Sequence, residues 1–275
     1  MVRTRVAAFK EPSATNYTIS PSLYYIYFLY MDFSENTYST ISSYPIIKNH
    51  YGIKVVRDDL LPGGTKSILM PLIDDPSITE FVYASPVYGG FQIALAMYCK
   101  RVGKLATIFC AQRNIKHTNT LKCIEYGANV IEVPYGYLSV VEKKAREYCN
   151  KPYIKKIIFG ASTQENKLLI AERVKQVIKA LGKEPDEIWC AVGSGTLISS
   201  ILMAVSPNVK VFGVQVGADF KDTNPNLTII KYPKTFDKES KLKVDFPSTP
   251  NYDLKAFEVC LKQKGDGNIL FWNVL

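Results

Sequence analysis

From residue 53 onward, short apolar runs alternate with helical patterns over connections of a few residues, and that alternation leaves the chain few architectures. The pattern predicts strands at 53–57, 81–84, 105–110, 129–133, 187–192, 209–216 and 269–273, and a second alternating block opening at 157–159. Helices are predicted at 91–101, 119–126, 166–181 and 197–205, the first two stopped by Gly103 and Gly127. Strands joined through helices pair in parallel, because a parallel neighbour needs a long crossover that a hairpin turn cannot supply. The fold class expected is therefore α/β: two doubly wound α/β domains with a cleft between them, the place where such sheets take up ligands. With 275 residues and 47% hydrophobic side chains, one large core or two smaller ones can be buried.

Several classes of protein are set aside by composition. The most apolar early stretch, 23–31, is far shorter than the ~20 residues of a membrane span, and no basic leader frames it as a secretory signal. Neither a membrane role nor export is expected. Six scattered cysteines without a CxxC pair, and two histidines remote from them, read as reduced thiols in a cytoplasmic protein without a metal site. The net charge of +9 comes from Lys and Arg spread along the chain. It suits first a solvated lysine-rich surface, and after that an anionic substrate or nucleic acid. The first 45 residues, rich in Tyr and Ser, carry no pattern that assigns them a fold.

Two turns carry candidate chemistry. Gly193-Ser194-Gly195-Thr196 lies between a buried strand and a helix, so it offers free backbone N–H groups and two hydroxyls at the positive end of a helix dipole. Such a turn either cradles a phosphate or serves packing. It lacks the lysine of a nucleotide-triphosphate loop and the third glycine of a dinucleotide fingerprint, so a small monophosphate suits it better. The other turn, Pro62-Gly63-Gly64, leads through Thr65, a candidate helix cap, to Lys66. Taken alone, Lys66 is one more solvated charge.

In order along the chain, five segments resemble the fold-type II pyridoxal 5'-phosphate (PLP) enzymes, the tryptophan synthase β superfamily. The branch they resemble most is that of 1-aminocyclopropane-1-carboxylate deaminase and D-cysteine desulfhydrase. Arg57-Asp58-Asp59-Leu60 followed by Gly63-Gly64-Thr65-Lys66 is similar to the family's "RED…GGNK" element, whose lysine forms the Schiff base. Ala84 to Gly90 stands in the place of the "SSGNHG" loop that grips the substrate carboxylate. Gly160-Ala161-Ser162 is similar to a "GAS" element, and Gly193, Ser194, Gly195 and Thr196 fall where the family binds the cofactor phosphate. Asn251 to Phe257 resembles "VYxGKAF", and 269–273 the last buried strand. The resemblance implies a larger cofactor-binding domain from 1–72 with 157–275, a smaller substrate-loop domain at 73–156, and a homodimer.

Departures from the pattern fall on the substrate side. Val87 stands where the loop's Asn would be, with Tyr88 next to it, so the contact to the cofactor's 3'-oxygen is either made by that phenol or lost. The sequence stops two residues after Asn273, without the usual "TGG" loop, so that side of the cleft is expected to lie more open. Asp253 takes the position that faces the pyridine nitrogen in this branch. A carboxylate there would keep the nitrogen protonated and the ring a stronger electron sink. The alternative is an exposed loop acid, with Ser248 or Thr249 as the ring partner.

The function expected is a PLP enzyme that takes a primary amine, an amino acid or a group derived from one, and breaks a bond at its Cα, of lyase, deaminase or decarboxylase type. Lys66 is the expected Schiff-base and proton-transfer residue, with Tyr88 and Tyr252 as further catalytic candidates. Ser85, Tyr88, Gly89 and Gly90 are expected to hold the substrate. Two alternatives stand beside this reading: an enzyme acting on an amino-acid-modified thymine base in DNA, of bacteriophage type, and a non-catalytic binding module on the PLP fold.

Overall fold

Strands that are apolar along their whole length can only be covered on both faces, and in the computed structural model they form the interiors of two parallel sheets. The structure describes residues 44–134 and 136–275, so the apolar stretch at 23–31 lies outside the described residues. The strands are β1 (Ile47–His50), β2 (Ile53–Arg57), β3 (Glu80–Ala84), β4 (Leu105–Ala111), β5 (Asn129–Val133), β6 (Ile154–Ile157), β7 (Glu187–Val192), β8 (Lys210–Gln215), β9 (Leu227–Lys231) and β10 (Ile269–Asn273). The larger sheet has the order β1-β2-β10-β7-β8-β9 and the smaller β5-β4-β3-β6, every pairing parallel except β1 with β2. β3, β7 and β10 are buried at every position.

Among the described residues, six helices of eight residues or more cover the sheets: α1 (Phe91–Val102), α2 (Thr118–Glu125), α3 (Leu138–Tyr148), α4 (Gln164–Leu181), α5 (Thr196–Ala204) and α6 (Asp253–Gln263). Their ends follow local chemistry. The Thr163 side chain accepts from Asn166 N–H at the start of α4, and Gly182, at φ 77°, closes it in the left-handed conformation. None of the described helices is long and apolar enough to cross a membrane.

The structure corrects some local expectations. The run at 157–159 does not open a strand of the second block; β6 ends at Ile157, which pairs with Tyr83 of β3 in the smaller sheet. Thr65 is not a helix cap. It begins a 3-10 turn, Thr65–Leu69, and its Oγ1 accepts a hydrogen bond from Trp272 Nε1 at 3.0 Å. β1, β9, α3 and α6 were not anticipated. α3 carries the spacing Leu138, Val141, Ala145, Tyr148, but Val141 and Ala145 alone are fully covered, so its apolar stripe is narrow.

β10, the last strand in sequence, lies between β2 and β7 at the centre of the larger sheet. Its Trp272 indole also donates to Asp58 Oδ2 at 3.1 Å, and Asp58 Oδ1 accepts from Arg173 Nη2 of α4 at 2.8 Å. Asp58 and Arg173 are both nearly fully buried. Removing one partner of such a pair strands the other charge in the core, a loss of about 3–5 kcal/mol. Asp58→Ala should therefore lower the free energy of unfolding, measured by urea titration, by about that amount. The exposed pair Lys175 with Glu172 should give a loss of at most about 1 kcal/mol when broken. Equal effects of the two substitutions would show that the Asp58 network does not brace the fold.

Candidate active site

Parallel strands deliver all their C-terminal ends to one edge of a sheet, and here those ends converge. The segment after β2 carries Lys66, the turn after β7 is Gly193 to Thr196, and Val274 and Leu275 follow β10. The loop of residues 85–90 follows β3 in the smaller sheet. Together they enclose a cavity of about 90 Å³ between the two sheets.

Lys66 projects into this cavity. Its Nζ donates to the Gly160 carbonyl at 2.8 Å and to Ser194 Oγ at 3.3 Å, and it lies 5.6 Å from the centroid of the Phe91 ring. No carboxylate pairs with it among the described residues. Burial alone draws its pKa from 10.5 down to about 8. An amine so placed is partly uncharged near neutrality, as a nucleophile or base must be. The turn before it needs glycine: Gly64 has φ 75°, and a Cβ there would stand 2.3 Å from the Val274 carbonyl. That carbonyl accepts from Thr65 N–H at 3.1 Å, which ties the lysine turn to the end of β10.

The glycine turn sits beside the amine. The Gly195–Ala204 segment leaves its first N–H groups without intrahelical partners, as every helix does. Thr196 Oγ1 donates to the Gly160 carbonyl at 3.0 Å and lies 2.9 Å from Ser194 Oγ. A Cβ on Gly160 would overlap the Ser194 side chain, one on Gly193 would reach 3.0 Å from the Tyr252 ring, and one on Gly195 would overlap Phe220. The cradle therefore exists only because these positions lack side chains.

Of the residues singled out from sequence, the cavity gathers Lys66, Tyr88, Gly89, Gly90, Gly193, Ser194 and Tyr252. Gly195 and Thr196 line an adjoining pocket shared with Lys66, Ser194 and Tyr252. Ser85 is not in the cavity: its hydroxyl donates to the Pro86 carbonyl, and the residue lines a separate, larger cavity. Val87 turns away from the cleft into a small cluster with Cys110 and Ala111, while Tyr88 faces the cleft. Asp253 lines none of the three cavities and is fully buried at the first turn of α6, so it is no exposed loop acid. Its Oδ2 accepts from Leu275 N–H at 3.2 Å, and its Oδ1 makes no hydrogen bond among the described residues. Burial pushes its carboxyl well above the ordinary range. Ser248 is engaged with Asn273 Oδ1, and Thr249 with the Leu275 carbonyl.

The side expected to lie open is instead covered by Leu275, whose Cδ2 would stand 2.5 Å from a Cβ on Gly90. Other wall residues carried no sequence signal. Tyr83, within an apolar strand, accepts from Gly160 N–H at 3.1 Å, and Phe236 comes from a segment without pattern. Gln92 stiffens the loop, its Nε2 donating to the carbonyls of Gly89 at 2.8 Å and Val87 at 3.0 Å. Lys255, from the Asn251 to Phe257 motif, donates to the carbonyls of Thr235 and Phe236 and so fixes Phe236 over the cleft.

Residues 79–254, well over half of the chain, match the family model described as "Pyridoxal-phosphate dependent enzyme". The chain belongs to this family of enzymes. Its fold is that of the fold-type II PLP enzymes. It is similar to the crystal structure of an ACC deaminase homologue, with TM-score 0.71 at 15% identity over 88% of this chain and 94% of the other. A hydrogen sulfide-producing enzyme from Fusobacterium nucleatum gives TM-score 0.66 at 16% identity, covering 88% and 98% of the two chains. An O-acetylserine-dependent cystathionine beta-synthase from Helicobacter pylori gives 0.63 at 16% identity, covering 89% and 96%. No curated protein matches the sequence.

The geometry suits the family's cofactor on three counts: a buried lysine with no carboxylate partner among the described residues, a turn whose Gly193 and Gly195 leave no room for a Cβ against Tyr252 and Phe220, and a buried Asp253 oxygen with no hydrogen bond among the described residues. In PLP-free protein, the rate of reductive methylation of Lys66, followed by peptide mass spectrometry, should rise with pH through a midpoint near 8. The uncharged, reactive amine grows as pH passes the lowered pKa, whereas an exposed lysine titrates near ~10.4. A midpoint above pH 10 for Lys66 would mean that its amine is solvated.

Proposed function

We propose that this PLP enzyme takes up the amine of an amino acid, or of an amino-acid-derived group, in exchange for Lys66 and breaks a bond at the amine-bearing carbon, as lyases, deaminases and decarboxylases do. One observation carries the reading: the Lys66 amine is buried where both sheets meet, with no counter-charge among the described residues and its pKa lowered to about 8. Similarity of fold to an ACC deaminase homologue and to a hydrogen sulfide-producing enzyme supports the same class of chemistry.

In this reading residues 1–72 and 157–275 hold the cofactor and 73–156 present the substrate loop. The N–H groups of Gly193 to Thr196 hold the phosphate, and Asp253, next in sequence to the cleft-lining Tyr252, is the ring-nitrogen partner, whose carboxylate would favour a protonated ring. Bound in this way, PLP supplies an electron sink for the bond broken at carbon. Lys66, once exchanged for the substrate amine, moves the proton at its Nζ. Tyr252, whose pKa is raised mainly by burial and then by Asp253, keeps its phenolic proton and serves as donor. The Tyr88 phenol, which makes no hydrogen bond among the described residues, is the second proton carrier. Gly89 and Gly90, at the start of α1, hold the substrate's anionic group. The family resemblance supports a homodimer.

A second reading, an amino-acid-modified thymine base in DNA as substrate, is favoured by the net charge of +9 and by the exposed Lys234 and Lys238 on either side of Phe236 at the cleft. Binding of a duplex carrying an aminoacylated base should then weaken steeply between 50 and 200 mM salt, by roughly 10³-fold or more if six or more phosphates are contacted. An affinity independent of salt, or turnover of free amino acids alone, would remove this reading.

Lys66→Ala should abolish both the visible absorbance of lysine-bound PLP and turnover of every amine. Borohydride fixing of the cofactor to a different lysine would overturn the assignment. Asp253→Ser should retain the cofactor yet slow cleavage at the amine-bearing carbon by roughly 10²-fold, the usual scale for one electrostatic stabiliser. An unchanged rate would make Asp253 a structural acid only.

A further inference from the structure

Beside the cofactor cleft lies a second cavity, of about 420 Å³. Pro86, Tyr88 and Phe236 line both cavities, and the rings of Tyr88 and Phe236 meet edge-on with centroids 5.4 Å apart. A molecule held by its amine in place of Lys66 has this second space within reach past Tyr88 and Phe236, while Leu275 lies over the side facing Gly90.

The second cavity is lined by apolar side chains, Val141 and Leu138 of α3 among them, and by two charged residues, Arg113 and Asp237. Their states differ. Asp237 is occupied, paired with Lys238 at 3.4 Å and holding a hydrogen bond with the Thr235 side chain that keeps its pKa low. Arg113 makes no hydrogen bond or ion pair with any described residue. The uncommitted charge of the cavity is thus positive, and it is presented by a planar fork suited to two anionic oxygens. Ser85, absent from the cofactor cleft, belongs to the same wall, with its hydroxyl donated to the Pro86 carbonyl.

We infer that this cavity is a specificity subsite for the far end of the substrate, and that the substrate is an amine with an extended apolar chain ending in a carboxylate, sulfonate or phosphate, received by Arg113. The inference rests on the proposed chemistry at Lys66. Small amino acids would reach the amine site but leave the subsite empty. Arg113 takes no part in the chemistry; it positions the substrate.

The test titrates PLP-loaded protein with both enantiomers of alanine, norleucine, 2-aminoadipate, homocysteate and O-phosphohomoserine, reading the change in the cofactor's visible spectrum. At least one of the last three should bind roughly ten-fold to a hundred-fold more tightly than norleucine, the scale of one charge-assisted hydrogen-bonded contact, and the tightest identifies the anion. Arg113→Met, an exposed substitution that leaves the core intact, should erase that preference while leaving the affinity for alanine unchanged. Arg113→Glu should shift it toward lysine, whose far end is a cation. Leu138→Trp, which fills the cavity, should weaken norleucine and the three anions but not alanine. Equal affinities for alanine, norleucine and the anionic amines, or an anion preference that survives Arg113→Met, would overturn the subsite with the proposed chemistry intact. If no amine perturbs the cofactor spectrum, the chemistry at Lys66 fails and the subsite with it.

Discussion

The site depends first on a buried carboxylate. Asp58, directly after β2, accepts from Arg173 of α4 through one oxygen and from the Trp272 indole of β10 through the other. The same indole hydrogen reaches Thr65, the residue before Lys66. A charge removed from water must find such partners or neutralise. Satisfying Asp58 therefore holds three distant parts of the chain together and sets the direction from which the lysine enters the cleft. The neighbouring Arg57 and Asp59 pair bidentately at 2.8 Å and leave the Asp58 network undisturbed.

Once the turn is held, the chemistry follows from what surrounds the amine. Lys66 meets a carbonyl, a hydroxyl and an aromatic ring but no acid, so its charged form is disfavoured and its free amine becomes available. Had Asp58 faced the cleft, the opposite shift would follow. The structure keeps its acids off the amine: Asp58 is spent on Arg173, and Asp253 accepts from the Leu275 N–H.

Much of this was legible in the sequence where local chemistry and periodicity coincide. The inner strands of both sheets, the helix stop at Gly103 and the glycine turn at 193–196 follow from patterns a few residues long. So does Lys66, through its place in an ordered series of motifs. Less was legible where a residue's role is set by something far away. Tyr83 reads as one apolar strand residue among several, yet its phenol meets Gly160. Phe236 lies in a stretch with no periodicity and reaches the cleft because Lys255, behind it in sequence, holds its carbonyl. Ser85 belongs to the substrate loop by sequence but bonds its own neighbour and faces the larger cavity.

By itself, the sequence determined the α/β class, the parallel pairing and the family, because strand and helix periods, glycine positions and motif order are properties of short segments. Only the tertiary structure decided which faces meet. It placed the last strand at the centre of the larger sheet and moved β6 into the smaller one. It covered the side of the cleft near Gly90 with Leu275 and left Arg113, beside a second cavity, with no hydrogen bond or ion pair among the described residues. The physical reason is that burial and charge pairing depend on contacts between segments tens or hundreds of residues apart, and no local pattern records them.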